Sequence, residues 1–264
     1  MKRIHDRFLF PEVDLQFDEA NHAYSIFDPC SETYAPAKSV TQLIKSYSEP
    51  FDSAAHSARI AERDGITQAE ILDAWESKAT AASEQGTYVH GQAEEIAYSF
   101  NRSGRLSLNV VGHPPEYRGH LKALWSWFID HPEIAQGFLV SELQIGFPCY
   151  LLAGTVDMLA SSYQGMPAII DWKTNASLET EGYRNMLPPF SRGKLKLPDT
   201  NLFHYYLQLN AYRRILLEEY NYEAQSMMLV HLQSNGRYVE YNVPVMEKHV
   251  DRLLEERLKV IACY

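Results

Sequence analysis

Hydrophobic and polar positions along this chain recur with two periods, and a switch of period marks where helix gives way to strand. Asp14–Phe17 and His22–Phe27 alternate around Asp18–Asn21, which predicts an N-terminal β-hairpin. Ala35–Ser39 reads as a loop. Ser39 is placed to cap a helix through Tyr47, with Val40, Leu43 and Ile44 on one face and Pro50 beyond its end. Asp52–Asp64 is helical up to Gly65, Thr67 caps a helix bearing Ile71, Leu72 and Trp75, and Ala79–Phe100 is a second long helical stretch. After the polar connection Asn101–Pro115, Glu116–Asp130 is again helical, with Leu121, Leu124, Trp125 and Phe128 as its apolar stripe.

The second half is richer in strands. Phe138–Phe147 is one, and Leu151–Thr174 is two apolar runs parted by the turn-rich Ser161–Pro167, a hairpin pattern. Asn175–Asn201 has little periodicity and contains Pro188–Pro189. A segment of that length between regular elements is usually functional, and it reads as a flap or strand-guiding loop. Leu202–Tyr222 is a helix, Ala224–Leu232 an apolar strand, Tyr238–Val243 an edge-like strand and Val245–Ile261 an amphipathic helix. These elements predict an α/β fold in one domain spanning 1–264: a mixed sheet flanked by helices. Residues 1–135 supply a hairpin and a helical wall of the cleft, and 136–264 the core.

Two residues break the pattern of the central hairpin. Asp157 sits in its first run and Asp171 in its second, where packing would not choose an acid. On a strand, Asp171 and Lys173 share one face while Ile170, Trp172 and Thr174 share the other. A carboxylate and an ammonium at the end of a buried strand are tolerated when they are paired or bind something. Two aspartates from paired strands offer hard oxygen ligands of the kind Mg²⁺ or Mn²⁺ takes, with Lys173 placed to touch a phosphate or a water.

Composition narrows the reading. With 264 residues, 45% hydrophobic, the chain can bury a core. It has no run long and apolar enough for a transmembrane helix, and the apolar part of MKRIHDRFLFPEVD is short for a secretory signal, so a soluble, non-secreted, cytoplasmic protein is expected. The cysteines, Cys30, Cys149 and Cys263, are scattered and odd in number, which fits a reducing compartment. A net charge of −10 argues against a broad nucleic-acid-coating surface. One stretch runs the other way: between Gly182 and Arg214 stand six basic residues (Arg184, Arg192, Lys194, Lys196, Arg213, Arg214) against one acid, Asp199.

Gly154–Thr155–Val156–Asp157 followed by Ile169–Ile170–Asp171–Trp172–Lys173–Thr174 resembles the active-site signature of the PD-(D/E)XK nuclease superfamily. Three further marks resemble its RecB-like exonuclease branch: Gly86–Thr87–Tyr88–Val89–His90 on a helix, Glu142 on the preceding strand, and Gln208 with Tyr212 on a following helix. The match spans Gly86–Tyr212 and is similar to the mitochondrial genome maintenance exonuclease type. Some members carry a four-cysteine iron–sulfur cluster, for which this chain has too few C-terminal cysteines.

The resemblance implies a restriction-endonuclease-like core and a Mg²⁺- or Mn²⁺-dependent exonuclease acting on single-stranded DNA or DNA ends in repair, recombination or genome processing. It implies that Asp157 and Asp171 hold the cation with the Trp172 carbonyl and His90, that Lys173 orients the attacking water, and that Glu142 joins the site. An ammonium beside a divalent cation is expected to have a lowered pKa. Gln208 and Tyr212 are expected at the DNA, with Arg184, Arg192, Lys194 and Lys196 on its backbone. Glu94, one turn from His90, is a weaker candidate. Tyr183, Phe190, Phe203 and Tyr205 are candidate stacking platforms for unpaired bases. With no P-loop in the chain, any unwinding would come from a helicase or recombination partner. An endonuclease of the same fold and a non-cutting nucleic-acid-binding subunit are the alternatives; the oligomeric state stays open.

Overall fold

The structure, a computed structural model, describes residues 13–18, 21, 23–28 and 32–262. The extreme N-terminus, His22, Cys30 and Cys263, with the expectations placed on them, lie outside the described residues. Eight strands follow in chain order: β1 (Leu15–Asp18), β2 (Ala23–Asp28), β3 (Thr33–Ser39), β4 (Leu139–Phe147), β5 (Leu152–Tyr163), β6 (Met166–Lys173), β7 (Ser226–Leu232) and β8 (Tyr238–Asn242). They form one mixed sheet in the order β1-β2-β3-β5-β6-β7-β8, with β4 paired to β5. The helices are α1 (Val40–Lys45), α2 (Ser53–Asp64), α3 (Gln68–Ser103), α4 (Arg118–Asp130), α5 (Asn201–Tyr220) and α6 (Glu247–Ile261).

Local chemistry accounts for many boundaries. Ser39 and Thr67 each form a capping box, with Gln42 and with Glu70, and Gly65 and Gly104 close α2 and α3 in the left-handed conformation. The central hairpin turns on Gln164 and Gly165, both at positive φ (50° and 79°), a two-residue turn tighter than the expected link.

Two expectations are corrected. Ala35–Ser39 is not a loop but part of β3, which pairs antiparallel with β2 over Thr33–Ala37 and parallel with β5 at Lys38↔Leu152 and Ser39↔Ala153. The two helices expected after Thr67 are one helix of 36 residues, because Val89, Ala93, Ile96, Ala97 and Phe100 give its C-terminal half a continuous buried face. The segment 175–200 is largely irregular, as expected, and is anchored within the fold: Met186, Phe190 and Leu197 are buried in the core, and Leu197 bonds back to both Phe190 and Met186.

The sheet carries a core on each face. On one, α1, α5 and α6 pack over Leu143, Leu159, Ile169 and Leu229. On the other, α3 and α4 pack over Met158, Ile170, Trp172 and Val230, with the Trp172 ring 4.8 Å from that of Trp127. Residues before 135 thus supply a helical layer and also three strands of the common sheet.

Candidate functional site

The site lies where the sheet splits. Strand β4 occupies one edge of β5 from Leu139↔Ala160 to Phe147↔Leu152, so β3 and β6 must share the other edge. There β3 holds Leu152 and Ala153, and β6 takes over only at Met158↔Ile170. Between them the ladder is open, and the amide of Trp172 donates instead to Asp157 Oδ2 at 2.8 Å. That bond holds the Asp157 carboxylate at the mouth of the split. Across β4, Glu142 falls opposite Asp157 by register, but it has φ 51° and makes no ladder pair. A non-glycine residue in the left-handed region costs roughly 1–2 kcal/mol, and such strain clusters at functional sites.

His90 reaches the same place from α3. Its Nε2 donates to the Trp172 carbonyl at 3.1 Å, which turns Nδ1 toward Asp157 Oδ2 at 3.6 Å and Glu142 Oε1 at 3.7 Å. Ligand atoms of His90, Glu142 and Asp157 all lie within 4.8 Å of one another. Burial works to lower the imidazole pKa, but Asp157 and Glu142 outweigh it and push it up to about 9. The Trp172 carbonyl, expected as a ligand, is here the acceptor that orients His90. Glu94 is not one of the three converging groups.

Asp171 is buried at 1% exposure, with Oδ2 2.5 Å from Lys173 Nζ and no partner for Oδ1 among the described residues. Burial and the neighbouring Asp157 raise its pKa to about 6, against the pull of Lys173 and His90. Burial works to lower the Lys173 pKa, but Asp171 and Asp157 outweigh it and hold the amine above its ordinary value. Both shifts have one origin: three carboxylates face two cationic side chains, so the site favours every added positive charge. A buried carboxylate oxygen without a donor, two further acids and one imidazole nitrogen form a donor set that fits a hard divalent cation.

Helix α5 closes the site from the opposite core. Tyr205 places its ring under Lys173 and donates its hydroxyl to Asn175 Oδ1 at 3.2 Å. Gln208 and Tyr212, expected at the DNA, are buried at 8% and 3% exposure, and Gln208 Nε2 donates to Tyr212 Oη at 3.0 Å. Tyr212 packs on Gly154, which explains the glycine three residues before Asp157. Sequence reasoning missed Tyr24, whose hydroxyl shares a 2.9 Å hydrogen bond with Thr155 Oγ1, two residues from Asp157. It also missed Gln85, which donates to the Thr174 carbonyl, and His231, which donates to that of Asn175. The readable signal was modest: Gln85 lies one residue before the Gly-Thr pair of α3.

The basic cluster divides. Arg192, Lys194 and Lys196 are exposed. Arg184, also exposed, is ion-paired with Glu49. Arg213 donates to the Ala224 carbonyl, and Arg214 pairs with Glu218 and Asp251, so these two serve packing. Of the stacking candidates, Tyr183 is fully exposed, Phe203 and Tyr205 are half-buried, and Phe190 is a core residue. The one described cysteine, Cys149, is an exposed free thiol, and no helix among the described residues is long and apolar enough to cross a membrane.

No family model matches the chain, and no curated protein matches it. A solved structure described as the crystal structure of SSO0001 is similar over 68% of this chain and 71% of that chain, at 19% identity and a TM-score of 0.29.

Proposed function

We propose that this protein is a metal-dependent DNA exonuclease that hydrolyses phosphodiester bonds of single-stranded DNA or DNA ends, on a restriction-endonuclease-like core. One observation carries the reading: His90, Glu142 and Asp157 converge within 4.8 Å at the open edge of β5, beside the buried Asp171–Lys173 pair. The sequence's resemblance to PD-(D/E)XK nucleases supports it.

Asp157, Asp171, Glu142 and Nδ1 of His90 are the groups that would hold Mg²⁺ or Mn²⁺. A divalent cation bound there supplies Lewis-acid neutralisation of a phosphate and a more acidic water. His90 keeps its proton on Nε2 against the Trp172 carbonyl, leaving Nδ1 as the donor atom. Lys173, held protonated beside Asp171, presents an ammonium that offsets charge developing on the non-bridging oxygens of the scissile phosphate. Arg192, Lys194 and Lys196 lie free to meet the DNA backbone.

The test is incubation of end-labelled single- and double-stranded DNA with Mg²⁺ or Mn²⁺, using wild type, Asp171→Ala and Lys173→Ala. Wild type is expected to release nucleotides, and each variant to be slowed by about 100-fold or more. Persistent cleavage by both variants would assign the cutting to another site. Circular single-stranded DNA is expected to resist; its cleavage would make the enzyme an endonuclease, and binding of DNA without any product would make the chain a non-cutting subunit.

A further inference from the structure

Lys173 ends β6, and carbonyls before and after it are taken by side chains of other elements. His90 Nε2 donates to Trp172 O at 3.1 Å, Gln85 Nε2 to Thr174 O at 3.1 Å, and His231 Nε2 to Asn175 O at 2.7 Å. The backbone is therefore held on both sides of Lys173. Its side chain is a different matter, because a lysine ammonium rides on a flexible four-carbon stem and is drawn to water.

Two groups meet that amine. Asp171 Oδ2 lies 2.5 Å away, and the Tyr205 ring centroid 4.6 Å away, inside the range of about 6 Å over which a ring face attracts a cation. Tyr205 is itself tied down. Its hydroxyl donates to Asn175 Oδ1 at 3.2 Å, and Asn175 is the residue whose carbonyl His231 holds.

We propose that Tyr205 is the positioning residue of Lys173: its ring, braced by Asn175, keeps the ammonium on Asp171 and screens it from solvent. The catalytic consequence rests on the nuclease reading; the geometric relationship does not. Tyr205 stands one turn before Gln208 on α5, and it acts through Lys173 rather than on substrate.

Two measurements test this. In the metal-free protein, acylation of Lys173 by an amine-reactive ester is followed by peptide mass spectrometry. Tyr205→Leu is expected to label Lys173 about fivefold faster than wild type, and Tyr205→Phe, which keeps the ring but loses its bond to Asn175, about twofold faster. A wild-type rate in the leucine variant, or equal rates in the two variants, overturns the proposal. Should Tyr205→Leu fail to fold, Asn175→Ala removes the brace alone; it too is expected to speed labelling, and no change overturns the proposal. On DNA, Tyr205→Leu is expected to lower kcat about tenfold with KM nearly constant, and Tyr205→Phe to restore it. A raised KM at unchanged kcat would make Tyr205 a substrate contact and overturn the proposal. If no form hydrolyses DNA, the nuclease reading falls and the labelling alone decides the positioning role.

Discussion

Gly154 and Tyr212 share a space too small for one added methyl group: a Cβ on residue 154 would fall 2.4 Å from Cε1 and 2.8 Å from Oη of Tyr212. The contact sets how closely α5, with Tyr205 and Gln208, approaches the strand that carries Asp157. Gly154→Ala should therefore cost about 1–3 kcal/mol, because the ring must move off the sheet. Gly86, in the middle of α3, makes the contrast. Its added Cβ would meet only Thr174 Oγ1 at 3.6 Å, an ordinary contact. Gly86→Ala should be neutral or stabilise by roughly 0.5–1 kcal/mol through helix propensity. Urea denaturation of the two variants checks the pair, and equal losses would contradict it.

Glu142 combines a ligand candidate with a strained backbone. Glu142→Ala removes the carboxylate but keeps the strain of a side chain at φ 51°, whereas Glu142→Gly removes both. Glycine should be the more stable by about 1 kcal/mol, the reverse of the usual order inside a strand. Both variants should lose Mn²⁺ affinity alike. Calorimetric unfolding and Mn²⁺ titration separate the two effects.

The residues expected to touch DNA divide by burial. Tyr212→Phe leaves the buried Gln208 amide without its acceptor and should cost about 1–3 kcal/mol of stability, with little change in DNA affinity. Replacing Arg192, Lys194 and Lys196 together by alanine should leave the unfolding midpoint unchanged. It should also reduce the salt dependence of DNA binding by up to about three phosphate contacts. Fluorescence anisotropy across a salt series reads this out.

Protons and a divalent cation compete for the same acids. Asp171 is raised from its ordinary value to about 6, so its favourable contribution is present at low pH and is lost as pH rises through 6. His90 is raised to about 9, so its contribution is full below about 6.5 and is lost as pH rises through 9. Both run the same way: in EDTA these two groups make the protein less stable as pH climbs from 4 to 9. Added Mn²⁺ should oppose that loss, and its stabilising effect should grow with pH as the acids and His90 give up protons. Asp171→Asn should flatten the acidic part of the EDTA profile. Thermal unfolding from pH 4 to 9, with and without Mn²⁺, provides the measurement.

What short-range chemistry governs was readable in the residues themselves. Ser39 and Thr67 announce helix starts because a capping hydroxyl needs only a partner three residues on. The β5–β6 hairpin shows in its alternation, and with it the unusual placement of Asp157, Asp171 and Lys173. Strand β3 was not readable. Thr33–Ser39, TYAPAKS, is polar, small and interrupted by Pro36, so its extended state is imposed by β2 and by two residues of β5. Nor could period reveal that Met186 and Phe190 anchor the loop after Lys173, since isolated apolar residues in an aperiodic segment look alike whether buried or exposed.

The sequence by itself determined which chemical groups are available and which strands and helices carry them, because those depend on neighbours a few residues apart. Only the tertiary structure decided that His90 joins Glu142 and Asp157, that Tyr205 faces Lys173, and that Gln208 and Tyr212 turn inward. Those relationships join residues 15 to 67 positions apart. They depend on how the sheet splits at β5 and how closely two helices approach it, which is settled by packing volume and desolvation over the whole domain rather than by any local pattern.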